Sequence, residues 1–223
     1  MEQELNPEIG EQVVELVVKV FNQREDIFDE GFLVMSAIAN KFIDVLNKHI
    51  DTIAPFIMYG LESKSGAIVR NACGVLSDLC TLVEAPGIVE GFDQYMPILL
   101  NLLKDNNTER SVKIIIVSLI GDTFLLTKSK FYPYLEDSLH ILESAAELSI
   151  SLPDGRSESS ENLAYQVQLQ SALVESYTCF VQNVNDAHDE RSYQTLGQFI
   201  HNILEFLLNT IDPTFKPDLV SFK

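Results

Sequence analysis

One position in a recurring helical pattern carries a polar acceptor: Asn40, then Asp78, then Asp122, then Glu175. The separations are 38, 44 and 53 residues in turn. Carboxylates spaced once per helix pair suit two kinds of chemistry. They accept hydrogen bonds from Ser, Asn or backbone donors of the neighbouring pair and so tie a stack together. Alternatively, they line up as a negative track for the lysines and arginines of a partner. On the helix around Asp78 the apolar residues Ala72, Val75, Leu76, Leu79 and Val83 form one stripe. Arg70, Asn71, Gly74, Ser77, Asp78 and Thr81 form the opposite one at the same three- and four-residue steps. Asp78 therefore points away from the core. Ser111 and Ser118 share the stripe of Asp122, and Ser171 stands one turn before Glu175.

Other chemistries find little support. The chain has three cysteines, too few for a disulfide framework. Cys73 and Cys80 are seven residues apart on one helix, with no histidine nearby to complete a zinc site. All three read as small core residues in a reducing compartment. His49, His140, His188 and His201 are scattered over different helices. There is no GxSxG elbow, no phosphate-binding GxxxxGK[ST] loop and no HExxH pair. Asp189-Glu190 reads as the charged start of a helix. The expectation is a non-enzyme with no metal site and no cofactor.

The elements that must position these acids are helices. Apolar residues at helical spacing predict nine: 7–22, 29–46, 49–62, 67–83, 89–104, 109–128, 133–152, 161–184 and 190–211. Pro7 fits a first turn. Pro55 falls inside a helix and predicts a kink, and Pro97 falls inside another 42 positions on. Ala85-Pro86-Gly87 and Asp212-Pro213 are stops. The stretch from Pro153 to Ser160 reads as the most mobile internal loop, open to proteolysis at Arg156. Small apolar blocks ending in a polar acceptor repeat at 35–40, 73–78 and 117–122, with a more apolar helix between them. A period near 40 residues with two helices per unit is the mark of a HEAT-type α-solenoid. The expected fold is all-α, a right-handed superhelix of antiparallel pairs. Its repeats are placed at 7–46, 49–83, 88–128 and 131–184, with a partial repeat at 188–223. Thr214 to Lys223 begin an element that the chain does not finish, which reads as a fragment.

Of the 223 residues 46% are hydrophobic, ample for a core, and the net charge is −18. That charge repels nucleic acid and anionic membranes and suits a basic partner, or simply keeps an apolar stack soluble. The acidic first ten residues have no apolar run of the signal-peptide kind. The run Ile114 to Ile120 is far too short to cross a bilayer.

Val75 to Cys80, Arg110 to Asp122, Tyr134 to Glu136 and Leu169 to Val184 are four ordered segments that together resemble the importin-β (karyopherin-β1) family of nuclear import receptors. Arg110-Ser111-Val112-Lys113 followed by Ser118-Leu119-Ile120-Gly121-Asp122 resembles that family's RSVK…SVFGD helix. Val75-Leu76-Ser77-Asp78-Leu79-Cys80 resembles its LVGDLC segment, and Tyr134-Leu135-Glu136 its KYLE helix start. Leu169 to Val184, with Glu175, Tyr177, Thr178, Val181 and Gln182, resembles its LRESCLEAYTGIVQGL helix. The resemblance implies part of the C-terminal HEAT-repeat arm. It implies binding of the basic N-terminal helix of importin-α, of FG nucleoporins and of RanGTP, which displaces cargo. It implies residence in cytoplasm, nucleus and nuclear pore, with the chain itself monomeric. Second-of-pair helices line the concave face in that family, so Asp78, Asp122 and Glu175 become contacts to a basic helix. Glu109 and Glu161, at the starts of such helices, add negative charge there. Phe56, Met58 and Tyr59, on an outer helix, are candidates for FG contacts. The chain departs from the family in lacking tryptophan, which the family uses against its basic ligand. The alternative is a generic HEAT scaffold or regulatory subunit of another complex.

Overall fold

The computed structural model describes residues 6–82, 86–151, 160–187 and 189–211. Among them there is no strand. The α-helices are α1 (Pro7–Phe21), α2 (Phe28–Lys48), α3 (Ile50–Leu61), α4 (Gly66–Leu82), α5 (Pro86–Glu90), α6 (Phe92–Lys104), α7 (Arg110–Thr127), α8 (Tyr132–Ser151), α9 (Ser160–Ala187) and α10 (Glu190–Ile211). Turns of 3-10 helix occupy Glu25–Ile27 and Lys128–Phe131. Eight of the nine expected helices are present within about three residues of their expected ends, as far as these are described. The expectations for Val83 and Ala85, for the 153–159 loop with Arg156, for His188 and for everything from Asp212 onward lie outside the described residues.

Two features depart from the periodicity. The helix expected at 89–104 is broken at Gly91, which separates α5 from α6. Glycine supplies a weak point there that the continuing apolar pattern hides. Within α2 the helical dihedrals break at Phe42 (φ −140°, ψ 51°), where no proline stands. The Phe42 ring packs against Gly10 of α1, so close that a Cβ on Gly10 would lie 3.0 Å from it. Pro55 and Pro97 lie inside α3 and α6.

The chain divides into two compact units, Met1–Thr127 and Lys128–Lys223. In the first, α1, α3 and α6 pack on their partners α2, α4 and α7 as antiparallel pairs, and α2, α4 and α7 stack in order. The expected core stripe of α4 is buried: Ala72, Val75, Leu76 and Leu79. The opposite stripe, Arg70, Asn71, Gly74, Ser77 and Asp78, is half-buried. It is not a solvated face, because α2 and α7 flank it. Gly60 is needed at the close approach of α3 to its neighbours: a Cβ there would lie 2.7 Å from Phe32 and 2.8 Å from Ala72.

In the second unit α8, α9 and α10 pack on one another. Their core includes Leu139, Leu142, Leu173 and Phe199, with edge-on ring pairs Phe131–Phe180 and Tyr177–Phe206 at 5.7 and 5.8 Å. Asp189 caps α10, its Oδ2 accepting from the Ser192 amide at 2.8 Å, in keeping with the helix start expected at Asp189-Glu190.

Candidate partner-binding surface

Stacking α2, α4 and α7 brings the polar stripe of each helix against the next. Asp78 on α4 accepts hydrogen bonds from Ser36 and Asn40 on α2. Burial pushes its carboxyl above the ordinary value, and those two hydrogen bonds act against the rise. Ser77, the next residue back, donates from Oγ to Asp122 Oδ2 on α7 at 3.0 Å. Asn71 donates to the Asp29 carbonyl at the start of α2 at 3.0 Å. One turn beyond Ser77, the Cys80 thiol lies 4.0 Å from the Thr123 hydroxyl. The serines and asparagines of one repeat therefore meet the carboxylates of the next.

Glu109 belongs to the same system. Its carbonyl accepts from the Val112 and Lys113 amides and so opens α7. Its carboxylate reaches back to the preceding repeat. It pairs with Arg70 Nη2 at 3.4 Å and lies over Gly66 in the first turn of α4, where a Cβ would sit 2.2 Å from Oε1. The positive end of α4 favours a carboxylate there. Gly66 leaves the space, and α7 delivers the acid. The contribution of Arg70 and of Ser36 was missed in the sequence. Ser36 stands four residues before Asn40, and Arg70 stands 39 before Glu109, a full repeat, which is the signal that pairs them.

Glu175 and Glu161 lie in the second unit, on α9, and both are exposed. The structure joins Asp78 to Asp122 through adjoining residues and places Glu109 on the same two helices. Phe56 is half-buried, its ring 5.1 Å from that of Phe21 and 6.3 Å from that of Phe28. Met58 is half-buried. Tyr59 is 48% exposed, its ring 5.3 Å from Phe28, and a hydrogen bond to Glu25 raises its phenol's pKa. Of the three, Tyr59 is the one that presents an aromatic ring to solvent.

The buried thiols of Cys73 and Cys80 are pushed up to about 12 by loss of solvation, which keeps them protonated and unreactive. Among the described residues no group of three or more His, Cys, Asp or Glu has the geometry to hold a metal ion. No described helix is long and apolar enough to cross a membrane.

Over residues 1–220 the chain matches the model of the family described as importin subunit beta-1-like, TPR repeats. It is 29% identical over 202 residues to importin subunit beta-1 of Arabidopsis thaliana, a match that covers 90% of this chain and 22% of that protein. It is 22% identical over 205 residues to importin subunit beta-1 of Saccharomyces cerevisiae, covering 88% of this chain and 23% of that protein. The chain thus spans a little under a quarter of the length of these curated relatives. A solved structure of Kap95p with RanGDP shares the fold at a TM-score of 0.71 and 21% identity, over 91% of this chain and 23% of that one.

Proposed function

The chain belongs to the importin subunit beta-1-like family, and from that premise we propose that it works as part of the helical-repeat arm of a nuclear import receptor. In this reading it binds the basic N-terminal helix of importin-α through acids of its second-of-pair helices, with Asp78, Asp122, Glu175, Glu109 and Glu161 as contacts. FG nucleoporins dock beside Phe56, Met58 and Tyr59, with Tyr59 as the presented ring. RanGTP releases the cargo, and the protein moves between cytoplasm and nucleus through the pore. The related Kap95p induces the switch loops of RanGDP to adopt the GTP-bound conformation, which supports a Ran-linked cycle. Members of this family are scaffolds without catalysis, and no reaction is assigned to this one. Family membership also sets aside a generic HEAT scaffold.

The observation that carries the proposal is the family match along residues 1–220. The net charge of −18 agrees with it, since a negative surface speeds and orients capture of a basic helix. The ties made by Asp78, Asp122 and Glu109 do not conflict with it. An ionised carboxylate accepts several hydrogen bonds at once, so one acid can hold a neighbouring repeat and meet a partner's lysine.

Titration of a labelled importin-α basic N-terminal peptide tests this, at two salt concentrations, against the wild-type chain and an Asp78→Asn/Asp122→Asn/Glu175→Gln variant. The amides keep an acceptor at each tie and remove only the charge. Exposed charges contribute about 0–1 kcal/mol each, so the triple change should weaken binding by about ten-fold. Added salt should narrow the gap. Equal affinity for both proteins would leave these residues as ties between repeats and nothing more.

A further inference from the structure

Between α8 and α10, over α9, lies a groove of about 330 Å³ that the proposed function does not use. Its floor is apolar. Tyr177 and Phe206 are buried with rings 5.8 Å apart, and Ile150 beside them is 42% exposed. Its rim is acidic. Glu143 and Glu147 are four residues apart on α8 and so share a face, and Glu205 approaches from α10. The rim is also fixed in place. Glu143 accepts a hydrogen bond from Asn202 of α10, and His140 Nδ1 lies 3.5 Å from its carboxylate. The Asn202 contact joins α8 to α10, as does the His140 ring, edge-on to Phe199 at 4.8 Å.

Among the described residues no lysine or arginine lines this groove. Helices α8 and α9 contain none, and the one in α10, Arg191, stands three turns away from Asn202. Elsewhere acids do meet cations of the same chain, as Glu11 meets Lys48 at 3.0 Å and Glu109 meets Arg70. The three carboxylates do not form a metal site, since no such group is found among the described residues. An acidic rim around an apolar floor is complementary to a large apolar side chain flanked by positive charge.

We propose that the α8–α10 groove docks a segment of a partner protein in which a large apolar residue is flanked by lysine or arginine. The apolar side chain lies on Tyr177, Phe206 and Ile150, while the flanking cations meet Glu147 and Glu205 and share Glu143 with His140. Its rim acids stand on α8 and α10, whereas Glu161 and Glu175 stand on α9.

The test is fluorescence anisotropy with a short labelled peptide of phenylalanine flanked by lysines. Three proteins are compared: wild type, the rim variant Glu147→Lys/Glu205→Lys, and an equally charged control, Glu15→Lys/Glu62→Lys, at exposed positions of the first unit. Circular dichroism checks that all three are folded. The rim variant should lose about ten-fold or more in affinity, because two attractions become repulsions, while the control loses less than about two-fold. Replacing the peptide's phenylalanine by alanine should weaken binding to wild type by a similar factor, and Ile150→Ser should do so from the protein side. Three results would each overturn the proposal: no binding to wild type, equal losses in the rim and control variants, or indifference to the phenylalanine. Equal binding of an uncharged phenylalanine-glycine peptide in this groove would also overturn it, by removing the need for a cation.

Discussion

The two units spend their acidic residues differently. In Met1–Thr127 three acids, Asp78, Asp122 and Glu109, reach across the seams between stacked helices. Asp78 accepts from Ser36 and Asn40, Asp122 from Ser77, and Glu109 pairs with Arg70. In Lys128–Lys223 the acids of α8, α9 and α10 have almost no cations on their own helices, and Glu147, Glu161, Glu175 and Glu205 are exposed. The same acidic composition thus does two jobs. In one unit it specifies which helix neighbours which. In the other it leaves negative charge turned toward solvent, where a basic partner can use it.

Removing one acid from each unit would break that contrast most directly. Asp122→Ala takes the acceptor from the Ser77 hydroxyl in a half-buried seam, and should cost about 1–2 kcal/mol by chemical denaturation. Glu147→Ala, at an exposed position, should stay within about 0.5 kcal/mol of wild type. A double-mutant cycle of Ser77→Ala with Asp122→Ala should show coupling, since the pair is in direct contact. Equal effects of the two alanine changes would erase the distinction between seam acids and surface acids.

Much of this was readable beforehand, for a physical reason. A repeated helix pair writes its core into the sequence with a 3.6-residue period, so Ala72, Val75, Leu76 and Leu79 announce their burial. A polar stripe opposite a core stripe on a stacked helix announces contact with the next repeat. Which donor meets which acceptor was not readable. Ser36 reaches Asp78 over 42 residues while Ser77 reaches Asp122 over 45, because adjacent helices slide along each other by amounts that packing sets. The break at Phe42 escaped because neither proline nor glycine marks it in the sequence. The α8–α10 groove escaped because its residues run from Glu143 to Asn209 and only the packing of three helices gathers them.

The point where the first unit gives way to the second offers a smaller effect. Lys128 is the single non-glycine residue with positive φ among the described residues, at 51°. It follows the last residue of α7, the position where helices commonly end in the left-handed conformation, usually on glycine. An L-residue there costs roughly 1–2 kcal/mol. Lys128→Gly relieves that strain but frees the unfolded chain, so a net gain of about 0.5–1 kcal/mol is expected. A thermal melt reads it, and a loss of stability would mean that the lysine side chain holds this junction by its own contacts.

The smallest effect concerns pH and tests a seam acid without removing its acceptor. Burial raises the Asp78 pKa in the folded protein, and the hydrogen bonds from Ser36 and Asn40 only partly offset this. With a folded value above the unfolded one, the native state holds the proton more tightly than the unfolded chain. The stability this gives is present in full below the unfolded pKa, and it is lost as the pH rises through the folded one. Ionised Asp78 is therefore a small net cost at neutral pH, and the loss falls just above the ordinary carboxylate range. Asp78→Asn removes the titration while keeping an acceptor toward α2. Its stability should vary less with pH than the wild type's across that window, and the two profiles should draw together on the acid side. Melting curves of the two proteins over a pH series make the comparison. If the wild type instead loses stability relative to Asp78→Asn as the pH falls through the carboxylate range, the two hydrogen bonds outweigh the burial, and ionised Asp78 is a favourable group at its seam.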